Sequence, residues 1–322
     1  MTAAFGGNSR FFAVAVMAAA GLCTPAAPLL AQQAATATAV APSAELRVQA
    51  IRPGLNVILG AGGNVVAWSG ADGVVLVDSG LAAASGALVD TVTRIAPGPV
   101  LFVLNTHGHA DHAGGNEAFA GKGAVLIGHE SLRERAGRDP AVTTTGAAES
   151  THLASAARPV ITLTESLALH LNGDRLDAVH VADAHTASDI VMRWNDADVI
   201  ALGDIYWSGQ YPYIDVDSGG SLAGMVAAVE GVLARTNSRT VVVPGHGPVS
   251  NRAELAAYRD MLVAVGRKLR EATESGMGIE EILAAKPTAE FDARYAAPGA
   301  IVTPEEFVRS IYSALAPKRP GR

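Results

Sequence analysis

The sequence predicts an α/β fold, and three features carry that prediction. Apolar runs of strand length recur along the chain, segments with helical spacing lie between them, and glycine, proline or asparagine punctuates the joins. Taken in order, Val57-Ile58-Leu59 and Val65-Val66-Ala67-Trp68 flank Gly60-Ala61-Gly62-Gly63 and read as a hairpin. Val74-Val75-Leu76-Val77 is a further strand, ending at Asp78. Residues 81–96 read as a helix that Pro97 and Gly98 stop. Val100-Leu101-Phe102-Val103-Leu104, bounded by Pro99 and Asn105, has the length and composition of a buried strand. Weak alternation over 160–194 takes in Ile190-Val191-Met192, and the runs 199–203 and 241–243 are two more apolar segments. A helix is expected over 221–235. Asn251, with Glu254 three residues on, is placed to cap a helix carrying Leu255, Tyr258, Leu262, Val265 and Leu269 at helical spacing. Thr303-Pro304-Glu305-Glu306 is a capping box with proline at the first helical position, and its helix offers Phe307, Ile311 and Leu315 for burial. Periodicity alone goes no further than α/β.

The densest chemistry lies in His107-Gly108-His109-Ala110-Asp111-His112, four potential metal ligands within six residues, just past the 100–104 strand. Residues two apart on an extended backbone project to one side, so His107 and His109 can reach one ion. Asp111 and His112 are adjacent, and only a turning backbone aims both inward. Imidazoles with a carboxylate suit zinc or a similar divalent first-row ion. Further ligand types stand at or beside other strand ends: His185 before Ile190, Asp204 after 199–203, and His246 after 241–245. Loops held by a rigid sheet are where chemistry is usually placed. Seven ligands exceed one tetrahedral zinc but fit two ions sharing a carboxylate and a hydroxide.

Composition bounds the remaining classes. At 322 residues and 49% hydrophobic the chain can bury a large core, and its net charge of −7 argues against a nucleic-acid partner. Arg10 is the only charged side chain before Glu45, and the apolar run 11–22 after it is too short for a membrane span. One positive residue, a short apolar core and then small residues describe a signal peptide, residues 1–31, with cleavage expected after Ala31 and Ala39 as the alternative. Leu22 before Cys23 is too large for the usual lipobox, so lipidation is not expected, and removal of the leader removes the only cysteine. Residues 32–49 read as a flexible linker and 50–318 as one domain, because the scattered ligands converge only within a single unit. The mature protein is expected to be periplasmic or secreted, without stable membrane insertion.

The motifs HGHADH (107–112), AHTASD (184–189), GD (203–204) and PGHGP (244–248), preceded by GGN (62–64) and GVVLVDSG (73–80), resemble the metallo-β-lactamase superfamily. The resemblance spans residues 54–250 in the family's order, and it implies a four-layer αβ/βα sandwich with metals at one sheet edge. It implies that His107, His109 and His185 hold a first ion, that Asp111, His112 and His246 hold a second, and that Asp204 bridges. The expected cofactor is two Zn2+ per chain, with iron or manganese as alternatives. Asp78 is expected to support the ligands from behind, as carboxylates that orient ligating imidazoles do; a helix-capping role is its competing reading. An Asp at 204 departs from the best-known zinc β-lactamases, which carry cysteine or serine there, and looks more like glyoxalase II, lactonase and nuclease branches. The implied reaction is hydrolysis of a small-molecule ester, lactone, thioester or β-lactam, with a metal-bridging hydroxide attacking the acyl carbon and Asp111 orienting it. A mononuclear iron persulfide dioxygenase and a non-catalytic metal-binding protein are the competing readings.

Other polar residues carry weaker expectations. His180 is read as structural, facing away from His185 across its strand. His129, His152 and His170 join no constellation and are expected at the surface or at caps. Tyr206, Tyr211 and Tyr213 follow Asp204, and either one phenol supports an oxyanion or all three pack the loop around Pro212.

Overall fold

The computed structural model describes residues 46–136 and 153–315, so the expected leader, Cys23 and His152 lie outside the described residues. Two sheets form the centre. The first runs in chain order: β1 (Arg47–Arg52), β2 (Leu55–Leu59), β3 (Val65–Gly70), β4 (Gly73–Val77), β5 (Val100–Leu104), β6 (Val125–His129) and β7 (Ile161–Leu163). The second contains β8 (Ser166–Leu171), β9 (Asp174–His180), β10 (Ile190–Trp194), β11 (Val199–Ala201), β12 (Val241–Val243) and β13 (Ser250–Asn251), in the reverse spatial order from β13 to β8. The described residues also form nine α-helices, beside three single 3-10 turns: α1 (Ser85–Ile95), α2 (Ala110–Ala113), α3 (Asn116–Ala120), α4 (Glu130–Arg135), α5 (Leu222–Leu233), α6 (Arg252–Glu274), α7 (Ile279–Ala284), α8 (Asp292–Tyr295) and α9 (Pro304–Leu315).

Side-chain alternation sorts these elements into layers. In β4, Val75 and Val77 face the second sheet, while Val74 and Leu76 pack beneath Leu88 and Val92 of α1 and Phe119 of α3. In β10 and β11, Ile190, Met192, Trp194, Val199 and Ala201 face the first sheet, while Val191 and Ile200 pack against α5, α6 and α9. Both faces of each central strand are therefore buried, which is why these strands read as continuous apolar runs. Trp68 and Trp194 meet edge to face across the inter-sheet core, with ring centroids 6.2 Å apart. The result is the four-layer αβ/βα sandwich that the family resemblance implied.

The helix ends follow the expected chemistry. Asn251 Oδ1 accepts hydrogen bonds from the amides of Ala253 and Glu254. Thr303 and Glu306 exchange both bonds of a capping box ahead of Pro304. Phe307 and Ile311 are fully buried, and Leu315 is half-buried. One boundary needs correction: residues 47–49, expected at the end of the linker, belong to β1, which pairs antiparallel with β2. This edge strand is exposed or half-buried throughout, so it carries no apolar run; its pairing with β2, the packing of Ile51 on the inter-sheet core and the Arg52 bonds to the Ala197 and Arg239 carbonyls place it.

Parallel pairing then gathers the functional residues. β4 and β5 pair in parallel, Val77 against Leu104, so Asp78 and the 105–112 segment leave the sheet at the same edge. β11 and β12 also pair in parallel, Ala201 against Val243, which brings Asp204 and His246 together. The Ile190 amide donates to the Thr106 carbonyl at 2.8 Å and fastens the two sheet edges side by side. No described helix is long and apolar enough to cross a membrane.

Candidate metal centre

Two clusters of ligand atoms lie at this joined edge, each with its atoms within 4.8 Å of one another: His107, His109, His185 and Asp204, and beside them Asp111, His112 and His246. All of the residues inferred from the sequence are thereby brought to one place. Asp204 stands between the clusters. Its Oδ2 is 3.8 Å from His107 Nε2 and 3.6 Å from His185 Nε2, whereas its Oδ1 is 3.0 Å from His112 Nε2 and 3.4 Å from His246 Nε2. A positive φ of 52° at Gly203 starts the tight turn that presents Asp204. At Gly245, any Cβ would fall 2.0 Å from Asp204 Oδ1, so a side chain there would displace the carboxylate.

Each imidazole but that of His246 shows an anchor behind it that fixes which nitrogen faces inward. His109 Nε2 is 2.9 Å from Asp215 Oδ2, His112 Nδ1 is 2.8 Å from Asp78 Oδ2, and His185 Nδ1 is 2.8 Å from the Tyr213 carbonyl. Asp78 Oδ2 accepts the Thr106 hydroxyl, which leaves Thr106 Oγ1 to accept from His107 Nδ1 at 3.1 Å. Anchors that accept hydrogen bonds place each ring proton outward and each lone pair inward, as metal-binding histidines require. His246 is instead packed against the Trp207 ring at 4.1 Å.

The residues fit a divalent cation on two counts. His109 Nδ1 and His185 Nε2 lie 3.0 Å apart. With their other nitrogens donating to Asp215 and Tyr213, two lone pairs face each other, an arrangement a cation between them relieves. His107 Nε2 and Asp204 Oδ1 are buried and lack a hydrogen-bond partner. Leaving such a group unpaired costs about 1–3 kcal/mol.

The electrostatics agree. Burial, and then the neighbouring His112, hold His107 well below the usual imidazole range, and burial pushes His185 down to about 4, so both stay neutral donors. Burial alone would raise Asp204, but His246 and His112 hold it well below the usual carboxylate range. Burial would lower His246, yet Asp204 and Asp111 bring it up to about 9. The second cluster thus attracts positive charge even among the protein's own groups.

The remaining expectations sort cleanly. Asp78 supports His112 and caps no helix; its φ of 64° belongs to the left-handed region that Asp tolerates. His180 stays outside the clusters, with Nε2 donating to the Ala187 carbonyl at 3.0 Å and its ring stacked 3.7 Å from that of His129. His129 caps α4 by accepting from the Ser131 amide, and it is buried, not superficial; His170 is exposed. Tyr206 and Tyr211 turn into the helical layer, bonding Ser250 and Asp292, so neither phenol faces the metal site. Asp215 and Thr106 were not anticipated, because neither sits in a spacing pattern.

The sequence pattern of the metallo-beta-lactamase superfamily matches residues 60–262. The chain belongs to the metallo-β-lactamase superfamily. A hydroxyacylglutathione hydrolase of Anaeromyxobacter dehalogenans (strain 2CP-C) is 30% identical over 149 residues, 45% of this chain and 47% of that protein. The match therefore spans about half the length of this relative. Among solved structures, a metallo-beta-lactamase from Pontibacter korlensis superposes with a TM-score of 0.56 at 21% identity, covering 68% of this chain and 99% of its own. The stereoselective inverting sec-alkylsulfatase Pisa1 from Pseudomonas sp. gives 0.63 at 17% identity, over 84% of this chain and 50% of its own. At such identities the structural likeness speaks for the fold. Combined with the His and Asp clusters, superfamily membership makes this edge a divalent-metal site.

Proposed function

We propose that the protein is an exported, dinuclear zinc hydrolase that attacks the acyl carbon of an ester, lactone, thioester or β-lactam. One observation carries the reading: the two oxygens of Asp204 face separate ligand groups, three imidazoles on one side and two imidazoles with Asp111 on the other. Bound divalent cations would supply acidified water and polarise the acyl oxygen.

The chain's own residues do the rest. Asp111 is half-buried, the one ligand residue of the second cluster with appreciable exposure, so its carboxylate meets both the cluster and an entering substrate. Burial would raise its pKa, but His112 and His246 hold it well below the usual carboxylate range. It therefore remains an acceptor at neutral pH, suited to orienting a water proton at Oδ2, which lies 3.1 Å from His246 Nε2. Asp204, buried and ionised, keeps the two ligand groups at a fixed separation. No serine or cysteine nucleophile is required. The relative named hydroxyacylglutathione hydrolase favours thioesters as the first substrates to try. Export rests on the sequence of residues 1–31.

Purified mature protein, assayed with S-lactoylglutathione, an acyl-homoserine lactone, nitrocefin, a carbapenem, a phosphodiester and glutathione persulfide, tests this reading. Chelator-sensitive acyl hydrolysis absent from His107→Ala is the expected result. Equal acyl hydrolysis by wild type and His107→Ala would end the hydrolase reading. Oxygen uptake confined to an iron-loaded form would replace it with a persulfide dioxygenase.

A further inference from the structure

The three members of the second ligand group come from opposite sheets. Asp111 and His112 follow β5 of the first sheet, and His246 follows β12 of the second. Their ligand atoms nevertheless lie 3.1–3.6 Å apart. The His246 loop is fastened within its own sheet: the Gly245 amide donates to Gly203 and Tyr206, and the Ser208 amide to the His246 carbonyl. These bonds set His246 relative to Asp204, but none relates it to Asp111 or His112.

That link comes from the turn between β2 and β3. Asn64 is buried, and its side-chain nitrogen donates to the Pro244 and Gly247 carbonyls, both at 2.9 Å. Both partners are acceptors, so the amide orientation is fixed by the network. The Asn64 backbone amide donates to the Gly245 carbonyl at 2.7 Å. One residue thus binds the carbonyls on either side of Gly245-His246. On its other flank, the Gly63 amide donates to the Asp111 carbonyl at 3.0 Å. Gly63 also lies against the His112 ring, where a Cβ would stand 2.3 Å from Cε1, so this crosspiece can sit this close only as glycine.

We infer that Asn64 is a positioning residue for the second metal ion, clamping His246 against the Asp111–His112 segment across the joined sheet edges. The inference rests on the dinuclear reading above. The three imidazoles of the first group are anchored elsewhere, through Thr106, Asp215 and the Tyr213 carbonyl. The effect is therefore selective between sites. Asn64→Asp preserves volume but sets oxygen against the Pro244 and Gly247 carbonyls and removes both donors.

The test is titration of metal-free protein with Zn2+ against a chromophoric chelator, alongside Co2+ absorption to count the sites. Wild type is expected to take two ions. Asn64→Asp is expected to hold the second about 10- to 100-fold more weakly and the first unchanged, the range typical for groups that orient metal ligands. Metal-free Asn64→Asp is expected to unfold at a lower temperature than wild type, since two buried carbonyls lose their donor; unchanged affinity for the first ion in the folded variant is what separates positioning from general damage. Should Asn64→Asp not fold, Asn64→Ser keeps one donor and is expected to show a smaller loss confined to the same site. Two ions held by the variant with wild-type affinities, or equal weakening of both sites, would overturn the role of Asn64 alone. A wild type that binds only one ion would overturn it together with the dinuclear reading.

Discussion

Asp78 Oδ2 lies 2.8 Å from His112 Nδ1 and 2.8 Å from Thr106 Oγ1, so one carboxylate oxygen steadies a residue of each ligand group. The chain from Asp78 through Thr106 ends on His107 Nδ1. Asp78→Asn keeps the left-handed backbone accessible, since Asn tolerates it. Its amide, however, would oppose the Thr106 hydroxyl and the His112 ring proton with a donor. Both ions are expected to weaken, about 10- to 100-fold, in contrast to the one-sided effect at Asn64. Zinc competition titration measures this, and a loss limited to one site would show that the Thr106 relay carries nothing.

Asp215 makes the complementary case. Its contact with His109 lies in the first group only, and its Oδ1 accepts the Ser218 amide. Burial would raise its pKa, but the bond to His109 holds it well below the usual carboxylate range. Asp215→Asn is expected to weaken the first ion by about an order of magnitude while sparing the second. Equal affinity for both ions in variant and wild type would remove Asp215 from the centre.

Stoichiometry distinguishes the bridge from its neighbours. Asp204→Ala is expected to release most of the second ion and weaken the first, since each oxygen faces one group. His180→Ala is expected to leave two ions per chain, because that ring bonds the Ala187 carbonyl and stacks on His129. Mass spectrometry under native conditions reads both, and a full complement in Asp204→Ala would contradict the bridging role.

The legible part of this centre is the part written locally. A strand and its following turn occupy a few adjacent residues, so 100–112, 199–204 and 241–246 each disclose an apolar run and the ligand at its end. Helix caps are equally local, which is why Asn251 and Thr303 could be read directly. Asp215, Thr106 and Asn64 serve through contacts 106, 28 and 180 residues away, and no spacing within the chain announces such pairs. The tyrosines after Asp204 illustrate the opposite hazard: nearness in sequence suggested the site, yet the turn at Gly203 sends Tyr206 and Tyr211 into the helical layer.

Those tyrosines give a prediction about stability. Tyr211 bonds Asp292 at 2.9 Å and Tyr206 bonds Ser250 at 2.7 Å, both away from the ligands. Tyr206→Phe and Tyr211→Phe should each cost about 0.5–1.5 kcal/mol of folding stability. Turnover should be unchanged. Urea unfolding and kcat check the pair, and a tenfold drop in kcat would return a phenol to the chemistry.

Removing metal should destabilise the whole sandwich, because the ligands join both sheets at one edge. His107, His109 and Asp111 follow β5, whereas Asp204 and His246 follow β11 and β12. An ion bound by the folded chain and not by the unfolded one stabilises by about 2.7 kcal/mol when free metal is a hundredfold above its Kd. For a domain of this size, that corresponds to a rise in Tm of about 5–10 °C per site. Chelation is expected to lower Tm by at least this amount, and added Zn2+ to restore it in two concentration-dependent steps. Asn64→Asp should move one step to about 10- to 100-fold higher zinc, and Asp215→Asn should move the other. Elemental analysis of the same samples separates zinc near two per chain from iron near one. A Tm indifferent to verified metal removal would mean that the clusters hold their geometry without a cation, and the fit of lone pair against lone pair at His109 and His185 would then need another explanation.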